Sequence, residues 1–116
     1  MKIEFYHNPR CSKSRAVLAL LQERNLSYEL VEYLENPPNE EDLIRLLDAL
    51  DEPPQAMLRA NESGFKALNL DAADLSVEQI VDLLLQHPKR MQRPIVVVND
   101  QARIGRPIEN IESLLP

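Results

Sequence analysis

The chain has 116 residues, 44% of them hydrophobic, which suits one compact domain over residues 1–116 rather than a disordered segment. Its net charge of −6 argues against the broad basic footprint of a nucleic-acid binder. No apolar run approaches the ~20 residues of a membrane span, so a soluble, cytoplasmic protein with neither nucleic-acid nor membrane partner is expected.

Residues 2–6 read as a short strand with Ile3 and Phe5 on one face, stopped by the turn formers Asn8 and Pro9. A helix over residues 12–24 follows, with Val17, Leu18, Leu20 and Leu21 on one side and Asn25 at its stop. Residues 27–34 read as a second strand, and strand-helix-strand order over so short a span implies parallel neighbours in one sheet. After the break at Asn36-Pro37-Pro38, Asn39 caps a helix with an acidic first turn, carrying Leu43, Ile44, Leu46, Leu47 and Leu50 and ended by residues 51–54.

The middle of the chain carries weaker signals, a short helix through Ala56, Met57 and Leu58 and a turn at residues 61–64. Ser76-Val77-Glu78-Gln79 matches a capping box ahead of Ile80, Val81, Leu83, Leu84 and Leu85, and that helix ends before His87-Pro88. Ile95-Val96-Val97-Val98, the turn pair Asn99-Asp100 and residues 102–104 form a β-hairpin, and a final amphipathic helix spans residues 108–115. The fold class is α/β, with a mixed four-stranded sheet and a helical insertion. Tyr6, Tyr28 and Tyr33 are expected to pack at the sheet surface without chemical roles.

Cys11 is the only cysteine, so oxidation cannot close an internal disulfide and any redox cycle must take its second thiol from another molecule. It falls at the first turn of the first helix, where unpaired backbone N–H groups and the positive end of the helix dipole favour thiolate over thiol. Arg10, Lys13 and Arg15 add positive charge nearby, and His7 would do the same if protonated. A Cys11 pKa well below the free-thiol value of about 8.5 is predicted. The same helix start suits a tetrahedral oxyanion beside the sulfur. One cysteine and two distant histidines do not make a zinc or iron ligand set, so no metal and no tightly bound cofactor are expected.

Five segments, His7-Asn8-Pro9-Arg10-Cys11-Ser12-Lys13-Ser14-Arg15, Tyr33-Leu34-Glu35-Asn36-Pro37-Pro38, Leu58-Arg59, Arg93-Pro94-Ile95-Val96-Val97 and Ile104-Gly105-Arg106-Pro107, occur in this order. Together they resemble the glutaredoxin-like arsenate reductases over nearly the whole chain. The resemblance implies a thioredoxin-like fold and reduction of arsenate to arsenite through a Cys11-arsenate adduct, with glutathione as co-substrate and glutaredoxin as partner. Cys11 is similar to the family nucleophile, and Arg59, Arg93 and Arg106 resemble its three oxyanion-binding arginines. His7 occupies the place of the histidine before that cysteine, and with Ser14 and Arg15 it is assigned to stabilising the thiolate. Pro94 resembles the cis-proline of thioredoxin-like folds.

The residue types suit this chemistry. Arsenate is a tetrahedral dianion near neutral pH, and guanidinium groups are permanently charged donor forks for its oxygens. Two other functions fit the pattern: a relative acting on another oxyanion or a glutathione-linked substrate, or a polymerase-binding regulator similar to Spx. Ser14 stands where the second cysteine of the regulator's Cys-x-x-Cys pair would be, which disfavours a disulfide sensor. A monomer is the expected state, there being no coiled-coil seam.

Overall fold

A computed structural model describes residues 2–116. Its four-stranded sheet has the order β2-β1-β3-β4, built from β1 (Ile3–Tyr6), β2 (Glu29–Val31), β3 (Ile95–Val98) and β4 (Gln101–Ile104). β1 and β2 pair in parallel, β1 and β3 antiparallel, and β3 and β4 antiparallel, so the sheet is mixed. Helix α1 (Ser12–Glu23) crosses between β1 and β2. The insertion between β2 and β3 holds α2 (Glu40–Ala49), α3 (Ser63–Lys66) and α4 (Val77–Gln86), with 3-10 turns at Pro54–Met57, Ala72–Asp74 and Pro88–Arg90. A four-residue α5 (Glu109–Glu112) closes the chain.

Side-chain alternation divides the core between the two faces of the sheet. Ile3, Phe5, Val96 and Val98 meet Val17, Leu21, Ile111 and Leu115 on the α1 side. Tyr6, Ile95, Val97, Ala102 and Ile104 meet Leu43, Leu46, Ile80, Leu84, Met57 and Met91 on the insertion side. Ile3 and Phe5 share one face of β1 as expected, and all four residues of the strand are buried between two helical layers. Even Glu4 is inside, held by both Arg45 Nη atoms at 3.0 and 3.2 Å, which ties α2 to the central strand. Burial and the Glu4 charge push the Tyr6 hydroxyl beside it up to about 12.

The predicted capping box of α4 is present, and the predicted Asn39 cap of α2 proves to be a second one. Asn39 and Asp42 exchange bonds at the start of α2, as do Ser76 and Gln79 at the start of α4. Asn25, at φ 54°, sits just past α1 in the left-handed conformation that asparagine tolerates. Three boundaries differ from the expectation. β2 is three residues rather than eight, because as an edge strand it can pair only while β1 runs beside it. Its last ladder partner is Tyr6, after which β1 leaves the sheet through His7, whose N–H donates to Val31 O at 2.9 Å. The helix expected through Ala56, Met57 and Leu58 is a 3-10 turn, ending where Leu58 bridges Met91. The last helix shrinks to one turn, although Ile111 and Leu115 are buried as an amphipathic pattern requires.

Tyr6 and Tyr33 correct the reading of the tyrosines, since both are buried and only Tyr28 is partly exposed.

Candidate active site

The topology gathers the candidate residues at one end of the sheet. The carboxyl ends of parallel β1 and β2, the amino end of β3 and the carboxyl end of β4 all share that edge, as the pairings Tyr6 with Val31, Tyr6 with Ile95 and Ile95 with Ile104 require. Through it emerge the His7-to-Cys11 loop, Tyr33, the Arg93-Pro94 pair and Arg106. Arg59 arrives from the insertion: Arg59 N–H donates to Arg90 O at 2.8 Å and Gln92 N–H to Met57 O at 2.6 Å, laying its segment beside the run into β3.

Cys11 is the N-cap residue of α1, half-buried, with its N–H donating to Asn8 O at 3.0 Å. Its sulfur lies 3.7 Å from Arg106 Nη2. Burial pushes the thiol up, but the backbone N–H groups of Ser14 and Lys13 and the charges of Arg93 and Arg106 outweigh it, so the net displacement is downward. The amides that stabilise the sulfur are those a helix start leaves unpaired.

The three residues expected to steady the thiolate do so differently from that expectation. Arg15 donates from Nη1 to Pro9 O at 3.0 Å, clamping the loop. Ser14 is fully buried; its backbone N–H faces the sulfur, while its hydroxyl oxygen accepts from Asn8 N–H at 3.0 Å and pairs with His7 Nδ1 at 2.6 Å. Burial lowers the His7 pKa, only partly countered by Glu32, which keeps the imidazole neutral near pH 7. His7 therefore supports the loop through Ser14 and contributes no positive charge.

Arg106 links the two halves of the site. Its Nε donates to Arg93 O at 2.7 Å while Nη2 reaches the sulfur. The neighbouring Gly105 is where the backbones approach: Gly105 N–H donates to Pro94 O at 2.9 Å, and a Cβ there would stand 2.9 Å from Pro94 Cγ and 3.2 Å from Ile111. Both Arg93-Pro94 and Arg106-Pro107 are cis peptides.

A cleft of about 550 Å³ opens between the insertion and β4, walled by Arg59, Arg93 and Arg106 with Gln55, Glu62 and Gln92. Cys11 lies outside this wall, beside Arg106. Arg59 and Arg93 hold only long bonds here, Arg59 Nη1 to Lys89 O at 3.3 Å and Arg93 Nη1 to Gln92 Oε1 at 3.3 Å. Arg59 Nε, Arg93 Nε and the Tyr33 hydroxyl are buried with no hydrogen-bond partner among the described residues. Most buried polar groups in proteins are paired, so this concentration of free donors marks where an acceptor belongs. The sequence gives Tyr33 no chemical role, and its buried, unpaired hydroxyl sets it apart from the packing residues around it.

A sequence profile described as the ArsC family matches residues 6–114. The chain belongs to the ArsC family. An arsenate reductase of Neisseria meningitidis is 41% identical, the match covering 98% of each chain. The uncharacterized protein YfgD of Escherichia coli is 44% identical over 95% of this chain and 93% of its own. The solved structure of an arsenate reductase from Vibrio cholerae superposes with a TM-score of 0.90 at 43% identity, covering 99% of this chain and 98% of the other. The ArsC neighbours share the thioredoxin-like architecture anticipated for this chain. Among the described residues no helix is long and apolar enough to cross a membrane.

Proposed function

We propose that this ArsC-family protein reduces arsenate to arsenite, with Cys11 as nucleophile, Arg59, Arg93 and Arg106 as the oxyanion cradle, and glutathione and glutaredoxin as electron donors in the cytoplasm. The observation that carries this reading is the Cys11 sulfur at a helix start, 3.7 Å from a guanidinium that is itself bonded to the Arg93 carbonyl. The names of the Neisseria and Vibrio relatives support arsenate as the substrate.

The chemistry follows from the groups present. The Cys11 thiolate attacks arsenic, a sulfur–arsenic bond forms as an arsenic–oxygen bond breaks, and the As–OH oxygen leaves as hydroxide, which solvent protonates to water. The arginines neutralise charge on the remaining oxygens through this step. With no second cysteine in the chain, the next thiol comes from outside. A glutathione thiolate attacks the Cys11 sulfur, the sulfur–arsenic electron pair goes to arsenic, and As(V) leaves as As(III). The mixed disulfide left on Cys11 is exchanged onto glutaredoxin, which restores the thiolate.

The test is NADPH consumption with arsenate, glutathione, glutaredoxin and glutathione reductase, comparing the intact protein with Cys11→Ser. Arsenate-dependent turnover lost in the variant is the expected result. Turnover that persists in the variant refutes the nucleophile assignment, and turnover driven by thioredoxin without glutathione refutes the donor assignment.

A further inference from the structure

Tyr33 sits two residues past β2 at the active-site end of the sheet, with its side chain entirely inside the insertion-side core. Its ring packs in a cluster that includes Met57, Leu58, Phe65 and Met91. A phenylalanine would fill the same space, so packing alone does not account for the hydroxyl. That hydroxyl is buried and without a hydrogen-bond partner among the described residues. The Asn8 side chain approaches the phenol oxygen as a donor, which leaves the hydroxyl hydrogen unused, and Arg93, Arg59 and the Cys11 sulfur are the charges that act on it. It is not part of the cleft wall, but it lies within electrostatic reach of Arg59, Arg93 and Cys11 from the core behind them.

We propose that the Tyr33 hydroxyl is a fourth hydrogen-bond donor to the oxyanion, engaged when the anion draws Arg59 and Arg93 off their long bonds to Lys89 O and Gln92 Oε1. The inference rests on the oxyanion reading of the site and adds to it a neutral donor that approaches from the core. The three guanidinium groups supply charge, and the phenol supplies direction from a ring whose position is fixed by packing. Burial raises the Tyr33 pKa, so the hydroxyl keeps its proton for donation at neutral pH. An unmade hydrogen bond in the free protein that is made in the complex strengthens binding by its full worth.

The test is Tyr33→Phe, which preserves the core volume. Cys11 is alkylated with iodoacetamide without glutathione, and the arsenate concentration that gives half-protection is measured for both proteins. The variant is expected to fold, to keep the wild-type pH midpoint of alkylation when arsenate is absent, and to need about tenfold more arsenate for half-protection. An unchanged arsenate requirement overturns the proposal. A shifted alkylation midpoint in the free protein, with no larger change in the arsenate requirement, also overturns it, because the hydroxyl would then be acting on the loop through Asn8. Absence of protection in the wild type would instead remove the oxyanion reading, and this inference with it.

Discussion

The two walls of the site differ in how far they are finished before any substrate arrives. On the Cys11 side, Asn8, Ser14, His7 and Arg15 have spent their polar atoms on one another: Cys11 N–H on Asn8 O, Asn8 N–H on Ser14 Oγ, Ser14 Oγ with His7 Nδ1, and Arg15 on Pro9 O. On the arginine side, two guanidinium Nε groups and the Tyr33 hydroxyl make no hydrogen bond among the described residues, and the bonds that Arg59 and Arg93 do hold are long. In the proposed mechanism the nucleophile is thus set in advance, and the cradle is completed by its ligand. A preorganised nucleophile loses no freedom on reaction, whereas free buried donors are stabilised only when an anion binds, so the contrast separates reactivity from binding.

Arg106 belongs to both walls, so substitution there should have the largest effect. Lysine cannot hold the Arg93 carbonyl and the sulfur at once. Arg106→Lys is expected to lower kcat/KM for arsenate by roughly 10²–10³-fold, and to raise the pH midpoint of Cys11 alkylation. A loss confined to KM, with the midpoint unmoved, would place Arg106 on the binding wall alone. Gly105→Ala tests the same link through the backbone. The new Cβ meets the Pro94 ring at 2.9 Å, so the Arg106 turn must move away from Arg93. A fall in kcat/KM of between about 10- and 10²-fold is expected, with the alkylation midpoint displaced less than in Arg106→Lys.

Ser14→Ala probes the finished wall and should touch activity least. It strips a partner from the Asn8 N–H and from His7 Nδ1, yet it keeps the backbone N–H that faces the sulfur. Urea unfolding is expected to show a loss of about 1–3 kcal/mol, while the alkylation midpoint stays near that of the wild type. A large upward move in that midpoint would mean that the hydroxyl, and not the amide, holds the thiolate.

Much of this arrangement was legible in the residues. The β-branched run of β3, the Asn39 cap, the Ser76-to-Gln79 capping box and the position of Cys11 at a helix start are local signals, and each appears where the pattern put it. Even the separate arginines could be brought together through their resemblance to the family's motifs. What the sequence concealed depends on neighbours far along the chain. The extent of β2 is limited by where β1 departs, and the insertion settles into 3-10 turns because it must lay Leu58 against Met91. Whether His7 carries charge could not be read from its position alone, because burial, which lowers its pKa, depends on the layers packed around it. Tyr33 was given no role because a tyrosine beside a strand is commonly packing; only its fully buried, unpaired hydroxyl distinguishes it.

The claim that the nucleophile is set before substrate arrives is tested most directly by the pH dependence of Cys11 alkylation in the free protein, without any oxyanion. The folded-state pKa is depressed, so the thiolate persists below the free-thiol range. Its contribution to stability is complete above the unfolded value of about 8.5 and is lost as pH falls through the folded one. The account predicts a midpoint well below about 8.5 in the anion-free protein. A midpoint at the ordinary thiol value, falling only when arsenate or another oxyanion is added, would show that the sulfur is activated by its substrate, and would contradict it.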